Sequence, residues 1–345
     1  MKVGILQDPY NKFGSYIQRF EDICRVNRID SVRLNASSPD FWEQLESVSH
    51  FIFRWGHNDA YKDIARALLP VIEGMKGIKV YPNQASCWHY DDKIKQYYLL
   101  RRDGFPVVNS WVFWDYESAD KWIDSTDYPF VFKLTGGAGA AAVILVKDRK
   151  QARRLLKTSF GTGMYPNKIK DSNSLYSMMS IGMKIRKKAS YLARTIRAGD
   201  ANPYWKVHKN YLYAQEFLPG NDYDTRVATI GERADAFRRF VRKGDFRASG
   251  SHLWDTDKSK IDLRMIEIAL EVSCFYGFQS MAYDFIYDKH GKPVIVEMSY
   301  TYGDPDDPDF NDGYWDKNMI WHSGHYKTRE LIMEDLLEIP GLIYP

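Results

Sequence analysis

Apolar runs and helix-like stretches alternate at the start of the chain. The apolar runs fall at residues 3–6, 31–34, 50–53 and 78–81, and helical patterns lie between them at residues 16–25 and 62–74. Strands that alternate with helices predict a parallel sheet covered by helices. We therefore predict an N-terminal α/β domain over residues 1–90.

A second unit begins where the glycine and proline of residues 103–106 end a helical pattern at residues 91–102. The pattern that follows predicts strands at residues 107–113, 130–134 and 141–146 and helices at residues 118–124, 151–157 and 175–197. We predict a central α+β subdomain over residues 91–215.

The third unit is rich in β patterns. Strand-like runs fall at residues 211–217, 225–230 and 235–241, and a helical pattern at residues 261–276 ends at Gly277, a candidate helix cap. Two further runs, at residues 281–287 and 293–298, flank a glycine turn and predict a hairpin, and an amphipathic closing helix is predicted at residues 327–337. We predict a C-terminal α+β subdomain over residues 216–345.

The composition is that of a soluble globular protein, with 44% hydrophobic and 27% charged residues. Lys and Arg number 48 against 45 Asp and Glu, so no global positive field predicts nucleic-acid binding. Cys24, Cys87 and Cys274 form no CxxC pair and are interpreted as reduced, mostly buried thiols. No apolar run reaches the roughly 18 residues of a membrane span, and the start lacks a signal-peptide pattern. These features predict a cytoplasmic protein without a membrane span, and a homodimer is compatible with them.

A glycine-rich segment follows one of the buried strand patterns. Residues 128–143 read YPFVFKLTGGAGAAAV, in which the strand delivers Lys133 and the turn contains Gly136, Gly137 and Gly139. Such a turn lets backbone N–H groups approach a polyphosphate, while the lysine supplies positive charge. A flexible hairpin without a ligand is the alternative interpretation of this segment taken alone.

Two acids interrupt the apolar strands of the predicted late hairpin. Asp284 lies in AYDFIYD and Glu297 in VIVEMS. A carboxylate in a sheet-lined cleft is costly unless it is paired or binds a cation, and Mg²⁺ prefers such oxygen ligands. The alternative is that each acid faces solvent on the polar side of its strand.

Three further segments extend this set: YAQEFLPG at residues 213–220, NDYDTR at residues 221–226 and GDFRAS at residues 244–249. Taken in order with the glycine-rich segment and the two acids, they resemble the ATP-grasp superfamily, and most closely its carboxylate-amine ligase branch with the glutamate ligase that modifies a ribosomal protein. The resemblance covers about residues 91–303. It implies an ATP-grasp fold, with two α+β subdomains that grip ATP, and an ADP-forming ligase that joins a carboxylate to an amine through an acyl phosphate.

The resemblance also implies roles for individual residues, with ATP and Mg²⁺ as cofactors and two metal ions expected. The implied ATP-binding residues are Lys93 and Lys133 for the phosphates, Gly136, Gly137 and Gly139 in the flap, Gln215, Glu216, Phe217 and Leu218 at the adenine hinge, and Asp224 near the ribose. Arg226 and Arg247 resemble the catalytic arginines that stabilise the transferring phosphoryl group, and Asp284, Glu297 and Ser299 fall at the metal-ligand positions.

Ser299 departs from the family pattern, which has an asparagine at this position. A hydroxyl is a poorer metal ligand than an amide oxygen, so we expect a weaker second Mg²⁺ site or one completed by Asp304 or Asp306. Two alternatives to a ligase stay open: a small-molecule kinase that stops at phosphorylation, and a non-catalytic regulator that binds ATP. Release of ADP that requires both an acid and an amine distinguishes the ligase from both.

The substrates are expected to be a small-molecule, peptide or sugar-acid carboxylate and an amine. A basic insertion at about residues 160–210 would suit an anionic acceptor, or it is a solvated helix surface; its cations are Lys168, Lys170, Lys184, Arg186, Lys187, Lys188, Arg194 and Arg197. The aromatic content of 15% allows rings that stack on a sugar, with core packing as the alternative. Arg54 and His57 follow an apolar strand, where they either line a carboxylate pocket or form a plain turn.

Overall fold

Three β-sheets follow one another along the chain in this computed structural model. The structure describes residues 1–7, 14–137, 142–165, 206–303, 310 and 312–345. The helix predicted at residues 175–197 and all the cations of the basic insertion named above lie outside these described residues.

The first sheet is parallel throughout and has the strand order β2-β1-β3-β4. Its strands are β1 (Lys2–Leu6), β2 (Asp30–Leu34), β3 (His50–Ile52) and β4 (Lys79–Tyr81), and its helices are α1 (Gly14–Val26), α2 (Phe41–Glu46) and α3 (Asp59–Glu73). The parallel α/β layer predicted from the alternating pattern is therefore present. The short helix α2 was not predicted, because a helix over residues 41–46 is too short to produce a helical period of apolar residues.

The second sheet is antiparallel, with the order β5-β8-β6-β7. The short helix α4 (Gln84–Cys87) and the longer α5 (Lys93–Arg102) lead into it, followed by β5 (Ser110–Phe113), α6 (Tyr116–Ser125), β6 (Phe130–Lys133), β7 (Val143–Val146), α7 (Arg149–Phe160) and β8 (Leu212–Glu216). Phe130 and Phe132 of β6 are in the core with Ile123 of α6 and Leu156 of α7. Because side chains alternate along a strand, Lys133 points away from these helices.

The third sheet has the order β13-β12-β9-β10-β14-β15, with β11 paired to β10. Its strands are β9 (Tyr223–Ile230), β10 (Arg233–Phe240), β11 (Trp254–Asp255), β12 (Ser280–Tyr287), β13 (Pro293–Ser299), β14 (Gly313–Asp316) and β15 (Trp321–Ser323). A 3₁₀ turn at Lys258–Lys260 precedes α8 (Leu263–Tyr276), which packs on this sheet. The predicted hairpin at residues 281–298 is present as the antiparallel pair β12 and β13.

The two faces of the third sheet differ in polarity. Val227 of β9 and Met281 and Tyr283 of β12 are fully buried, and the Tyr283 hydroxyl lies 2.6 Å from the Ser273 Oγ of α8. The alternate positions, Arg226 and Asp284, therefore point to the opposite face of the sheet. The helix α8 covers the apolar face, and the charged face is left toward the second sheet.

The closing helix α9 (Thr328–Leu337) packs against α1, β4 and β9. Its buried residues include Leu331, Ile332, Met333, Leu336 and Leu337, which lie around most of the helix circumference. The predicted closing helix is therefore present, but the prediction that it is amphipathic is wrong, because the helix lies between the first unit and the third sheet. Arg19 of α1 pairs with Glu330 at 2.5 Å and fixes this contact.

All three cysteines are free; Cys24 and Cys87 are buried, as expected, whereas Cys274 of α8 is exposed. Among the described helices, none combines the length and the apolar character needed to cross a lipid bilayer.

Two helix-terminal glycines differ in backbone conformation and give a test of the fold. Gly277 caps α8 with φ of 66°, in the left-handed region, whereas Gly74 caps α3 with φ of −75°. We expect Gly277→Ala to lower the free energy of unfolding by about 1 kcal/mol, because a Cβ is disfavoured at positive φ. The matched Gly74→Ala should leave it unchanged or slightly raise it. Urea unfolding followed by circular dichroism measures both; equal effects would contradict the left-handed cap at Gly277.

Candidate nucleotide-binding site

A cavity of about 330 Å³ lies between the second and third sheets. Lys133 and Gln215 line it from the second sheet, and Asp284 and Glu297 line it from the third. Residues 216–221 close one end, where the chain passes from β8 to β9. The cavity therefore lies where the two sheets meet, with the charged face of the third sheet as one wall.

Most of the residues singled out from the sequence meet in this cavity. Those that line it are Lys93, Lys133, Gly137, Gln215, Glu216, Phe217, Leu218, Asp224, Arg226, Arg247, Asp284, Glu297 and Ser299. Gly136 does not line it, and Gly139 lies outside the described residues. The structure thus brings together side chains that are up to about two hundred residues apart in sequence.

Asp284 is the centre of a layer of charges across three strands. Arg226 of β9 donates to both of its carboxylate oxygens, at 2.8 and 3.0 Å, and Arg239 of β10 approaches Asp284 Oδ2 at 2.8 Å. Arg239 also donates to both oxygens of Asp224, at 2.7 Å each. Two carboxylates and two guanidinium groups therefore neutralise one another on the cavity wall.

Burial and charge act in opposite directions on the pKa values of these acids. Burial alone would raise the pKa of Asp284, but Arg226 and Arg239 outweigh it and hold this pKa well below its usual range. Burial raises the pKa of Asp224, since its bond to Arg239 only partly offsets the loss of solvent and the nearby Asp284 carboxylate. Of the two carboxylates, Asp284 is thus the one whose ionised form the surrounding charges favour more.

The pairing of Arg239 with Asp224 was not predicted from the sequence, although the sequence contains the hairpin turn that determines it. In the hairpin of β9 and β10, Ile230 pairs with Arg233 across Gly231 and Glu232, and this register places Arg239 directly opposite Asp224. A two-residue turn containing glycine fixes the register of a hairpin. Counting back from that turn would have found the pair.

Two buried lysines also line the cavity. Lys93 Nζ is 3.0 Å from Glu297 Oε1 and donates to the carbonyl of Gly137 at 3.2 Å. Burial alone would lower the pKa of Lys93, but Glu297 and Asp91 raise it above its usual value. Lys133 donates to Gln215 Oε1 at 2.5 Å, and burial lowers its pKa to about 8. An anion in the cavity would therefore meet one lysine whose pKa is raised and one whose pKa is lowered to about 8.

The glycine-rich loop begins against a second polar cluster. A Cβ on Gly136 would lie 2.9 Å from Asp91 Oδ2 and 3.2 Å from Lys62 Nζ, so close packing requires glycine there. The Gly137 N–H donates to Asp91 Oδ1 at 2.9 Å, and Lys62 pairs with the other Asp91 oxygen at 2.8 Å. Gly136 therefore packs closely against this cluster and the N–H of Gly137 is bound to Asp91, while contact of the two glycines with a phosphate stays a prediction.

The hinge end of the cavity suits a flat, largely apolar ring. Val131, Phe217, Leu218 and Ile286 line the cavity beside the backbone of residues 216–220. Apolar walls of this kind are typical of sites that bind a small organic ligand such as a nucleobase.

Arg247 donates to both oxygens of its neighbour Asp245, at 2.8 and 3.0 Å, and to the Val143 carbonyl at 3.2 Å.

The carboxylates fit a magnesium ion that is also held by phosphates. Asp284 and Glu297 are direct cross-strand partners, so both present oxygen ligands at one point of the wall. The Ser299 Oγ donates to the Thr301 carbonyl at 2.5 Å, and Asp304 and Asp306 lie outside the described residues. Within the described ranges, three or more His, Cys, Asp or Glu side chains nowhere converge on one point. Mg²⁺ commonly uses one or two carboxylates together with substrate phosphates, which agrees with this donor set.

The two residues considered for a carboxylate pocket separate in the structure. His57 lines the cavity, and its Nδ1 lies 3.0 Å from the Tyr90 hydroxyl and 3.7 Å from Asp91 Oδ1. Arg54 donates instead to the Tyr302 carbonyl at 3.2 Å and lies over the Tyr16 ring. Only His57 therefore faces the cavity directly.

Comparison with known proteins gives the fold its class. Residues 90–175 match the model of a RimK-like ATP-grasp domain. Among solved structures, the chain is similar to D-cycloserine synthetase DcsG, with a TM-score of 0.58 and 13% identity over 98% of this chain and 99% of that one. No curated protein matches the sequence of the chain.

Two further solved structures show the same architecture. The D-alanine–D-alanine ligase from Bacillus anthracis has a TM-score of 0.54 and 13% identity, over 88% of both chains. A RimK domain ATP-grasp protein from Sphaerobacter thermophilus has a TM-score of 0.52 and 16% identity, over 86% of this chain and 90% of that one. The chain therefore has the ATP-grasp fold. Its match within that fold is to the RimK-like branch, as the ordered motifs had suggested.

The pKa of Lys133 gives a pH-dependent prediction. Only the protonated amine attracts phosphate, so the affinity for the ATP analogue AMP-PNP should fall as the pH rises above about 8. Lys133→Met should bind about tenfold more weakly or worse at pH 7, because a charged hydrogen bond is lost, and should lose this pH dependence. Calorimetric titrations across this range measure both proteins. The same decline with pH in the variant would assign the titration to another group.

Proposed function

We propose that this protein is an ATP-dependent ligase that joins a carboxylate to an amine through an acyl phosphate, releasing ADP. The observation that carries the proposal is the set of opposed charges in one cavity. Asp284 and Glu297 lie on the third sheet beside Arg226, Lys93 is paired with Glu297, and Lys133 lines the same cavity from the second sheet. Phosphoryl transfer needs little from a protein beyond positioning and charge neutralisation, and these groups can supply both.

In this proposal the base of ATP lies at the hinge, residues 216–218, and its phosphates lie between Lys93 and Lys133. Asp284 and Glu297 hold Mg²⁺, which supplies Lewis-acid charge to the phosphates. The lysines hold the nonbridging oxygens and orient the terminal phosphoryl group. Neither lysine is exposed, so binding replaces protein contacts and water that are already arranged around positive charge.

Arg226 has a second role in the proposed reaction. Its guanidinium donates two hydrogen bonds to Asp284. If Asp284 held Mg²⁺, Arg226 would be available to hold the oxygens of the phosphoryl group and of the substrate carboxylate. A planar fork with permanent charge suits both targets. Arg239 stays with Asp224 and keeps the remaining carboxylate neutralised.

The substrates proposed are a small-molecule or peptide carboxylate and an amine, with a sugar acid or another anionic acceptor as a narrower possibility. The similar structures include a D-cycloserine synthetase and a D-alanine–D-alanine ligase. Their shared fold supports the reaction class for this chain and leaves its substrates open. A cytoplasmic location is consistent with a reaction that consumes ATP.

The reaction is tested by a screen of carboxylates against amines for ADP release, with mass spectrometry of the products. We expect ADP release that requires both partners, and a product whose mass equals their sum less one water. ADP release with a carboxylate alone and a stable phosphorylated product would identify a kinase instead. ATP binding without turnover on any pair would identify a regulator.

Glu297→Gln tests the metal role within that assay. The variant keeps the size of the side chain and removes its charge, so turnover should fall by about 10²-fold or more while the protein stays folded. Glu267→Gln on the exposed face of α8 is the matched control and should retain full turnover. Wild-type activity of Glu297→Gln at the same Mg²⁺ dependence would remove Glu297 from the metal site.

Ser299→Asn tests the departure from the family pattern. The Ser299 hydroxyl is engaged by the Thr301 carbonyl, whereas an asparagine would offer an amide oxygen beside Glu297. We expect the Mg²⁺ concentration for half-maximal turnover to fall or stay the same, because an amide oxygen is the better ligand. A clear rise in this concentration would show that the hydroxyl itself supports the metal site.

A further inference from the structure

A second cavity of about 200 Å³ lies in the first unit, beside α3 and the segment that leads into α5. Its apolar walls include Trp55, Leu69, Trp88 and Tyr90. This size suits a fragment-sized molecule rather than a nucleotide, since sites for drug-sized ligands commonly hold about 300 Å³ or more. The second cavity is distinct from the proposed ATP site, with no lining residue in common.

The charges that line the second cavity all have one sign. Lys62, Arg66 and Lys95 line it, and no Asp or Glu is among its described lining residues. Lys62 is paired with Asp59 and Asp91, at 2.8 Å each. Arg66 is 3.9 Å from Asp63, and Lys95 is 3.7 Å from Asp92 and donates to the Trp88 carbonyl at 3.3 Å. The cavity therefore combines apolar walls with cationic groups, and the carboxylates that pair with them are not among its lining residues.

The electrostatic environment of Lys95 also favours an anion. Burial lowers the pKa of Lys95, and the neighbouring Arg66 and Lys62 lower it further, although Asp92 opposes them. An anion between these cations would relieve their mutual repulsion.

We propose that the second cavity is a binding site for a small organic carboxylate with an aromatic or branched aliphatic body. The carboxylate lies between Arg66 and Lys95, and the body packs among Trp55, Leu69 and Tyr90. Rings and aliphatic chains gain free energy by leaving water for such walls, and a guanidinium binds a carboxylate through paired hydrogen bonds. The site lies next to Lys62. Lys62 is paired with Asp91, and Asp91 accepts a hydrogen bond from the N–H of Gly137. A ligand in the second cavity would therefore lie next to the ion pair that contacts the glycine-rich loop.

The test uses 4-(trifluoromethyl)benzoate as the probe and fluorine NMR line broadening on the full chain. The neutral 4-(trifluoromethyl)benzamide has nearly the same shape and is the control for charge. We expect the benzoate to bind wild-type protein at least about tenfold more tightly than the amide, because charged hydrogen bonds are worth that much or more. Equal affinity for the two probes would overturn the proposal.

Two kinds of variant locate the probe. The double change Arg66→Gln and Lys95→Gln should weaken benzoate binding about tenfold or more, whereas Lys121→Gln on the exposed side of α6 should not. Ala65→Leu places extra volume in the cavity wall and should abolish binding; should it fail to fold, the double variant decides. Unchanged binding in the double variant, or displacement of the benzoate by AMP-PNP, would overturn the proposal. The variants are compared without nucleotide, so the result does not depend on the proposed ligase activity.

Discussion

The buried contact of Asp284 with Arg226 and Arg239 is the interaction on which the rest of the site depends. It joins three neighbouring strands, β12, β9 and β10, through one carboxylate. Removing one partner of such a buried pair typically costs about 3–5 kcal/mol, because the remaining charge is left without compensation. A slip of one residue in any of these strands would carry its charge to the face covered by α8. The same charged residues therefore fix both the register of the third sheet and the location of the cavity.

Under the proposed function, the arrangement would let a buried site be stable and still bind polyphosphate. Each carboxylate on the wall is matched by a cation, with Lys93 next to Glu297 and the two arginines next to Asp284. Mg²⁺ and phosphates together would bring charges of both signs, so each charged group of the wall would keep a partner of opposite charge. Lys133 has only the neutral Gln215 as its bonded partner in the described residues, and its lowered pKa shows the resulting cost of burial. An anion held by Lys133 would offset that cost.

The sequence was most informative where local patterns decide the structure. Two apolar runs on either side of a glycine turn predicted β12 and β13, and the helical period with Gly277 predicted α8 and its end, because both signals arise within a few residues. The sequence did not predict features that depend on packing between residues far apart in the chain. The burial of α9 on several sides depends on α1 and β9, and the need for glycine at position 136 depends on Asp91 and Lys62. The pairing of Arg239 with Asp224 lies between these cases, since a turn encodes it but only the folded sheet shows which charges it brings together.

The central claim is that the cavity between the second and third sheets binds ATP together with Mg²⁺ held by Asp284 and Glu297. The most direct measurement is a calorimetric titration of the purified chain with AMP-PNP, once with Mg²⁺ and once with the metal removed by a chelator. The account predicts one nucleotide per chain with Mg²⁺ and an affinity lower by about tenfold or more without it, because the phosphates and carboxylates then repel one another. Binding of equal strength in both titrations, or no binding in either, would contradict it.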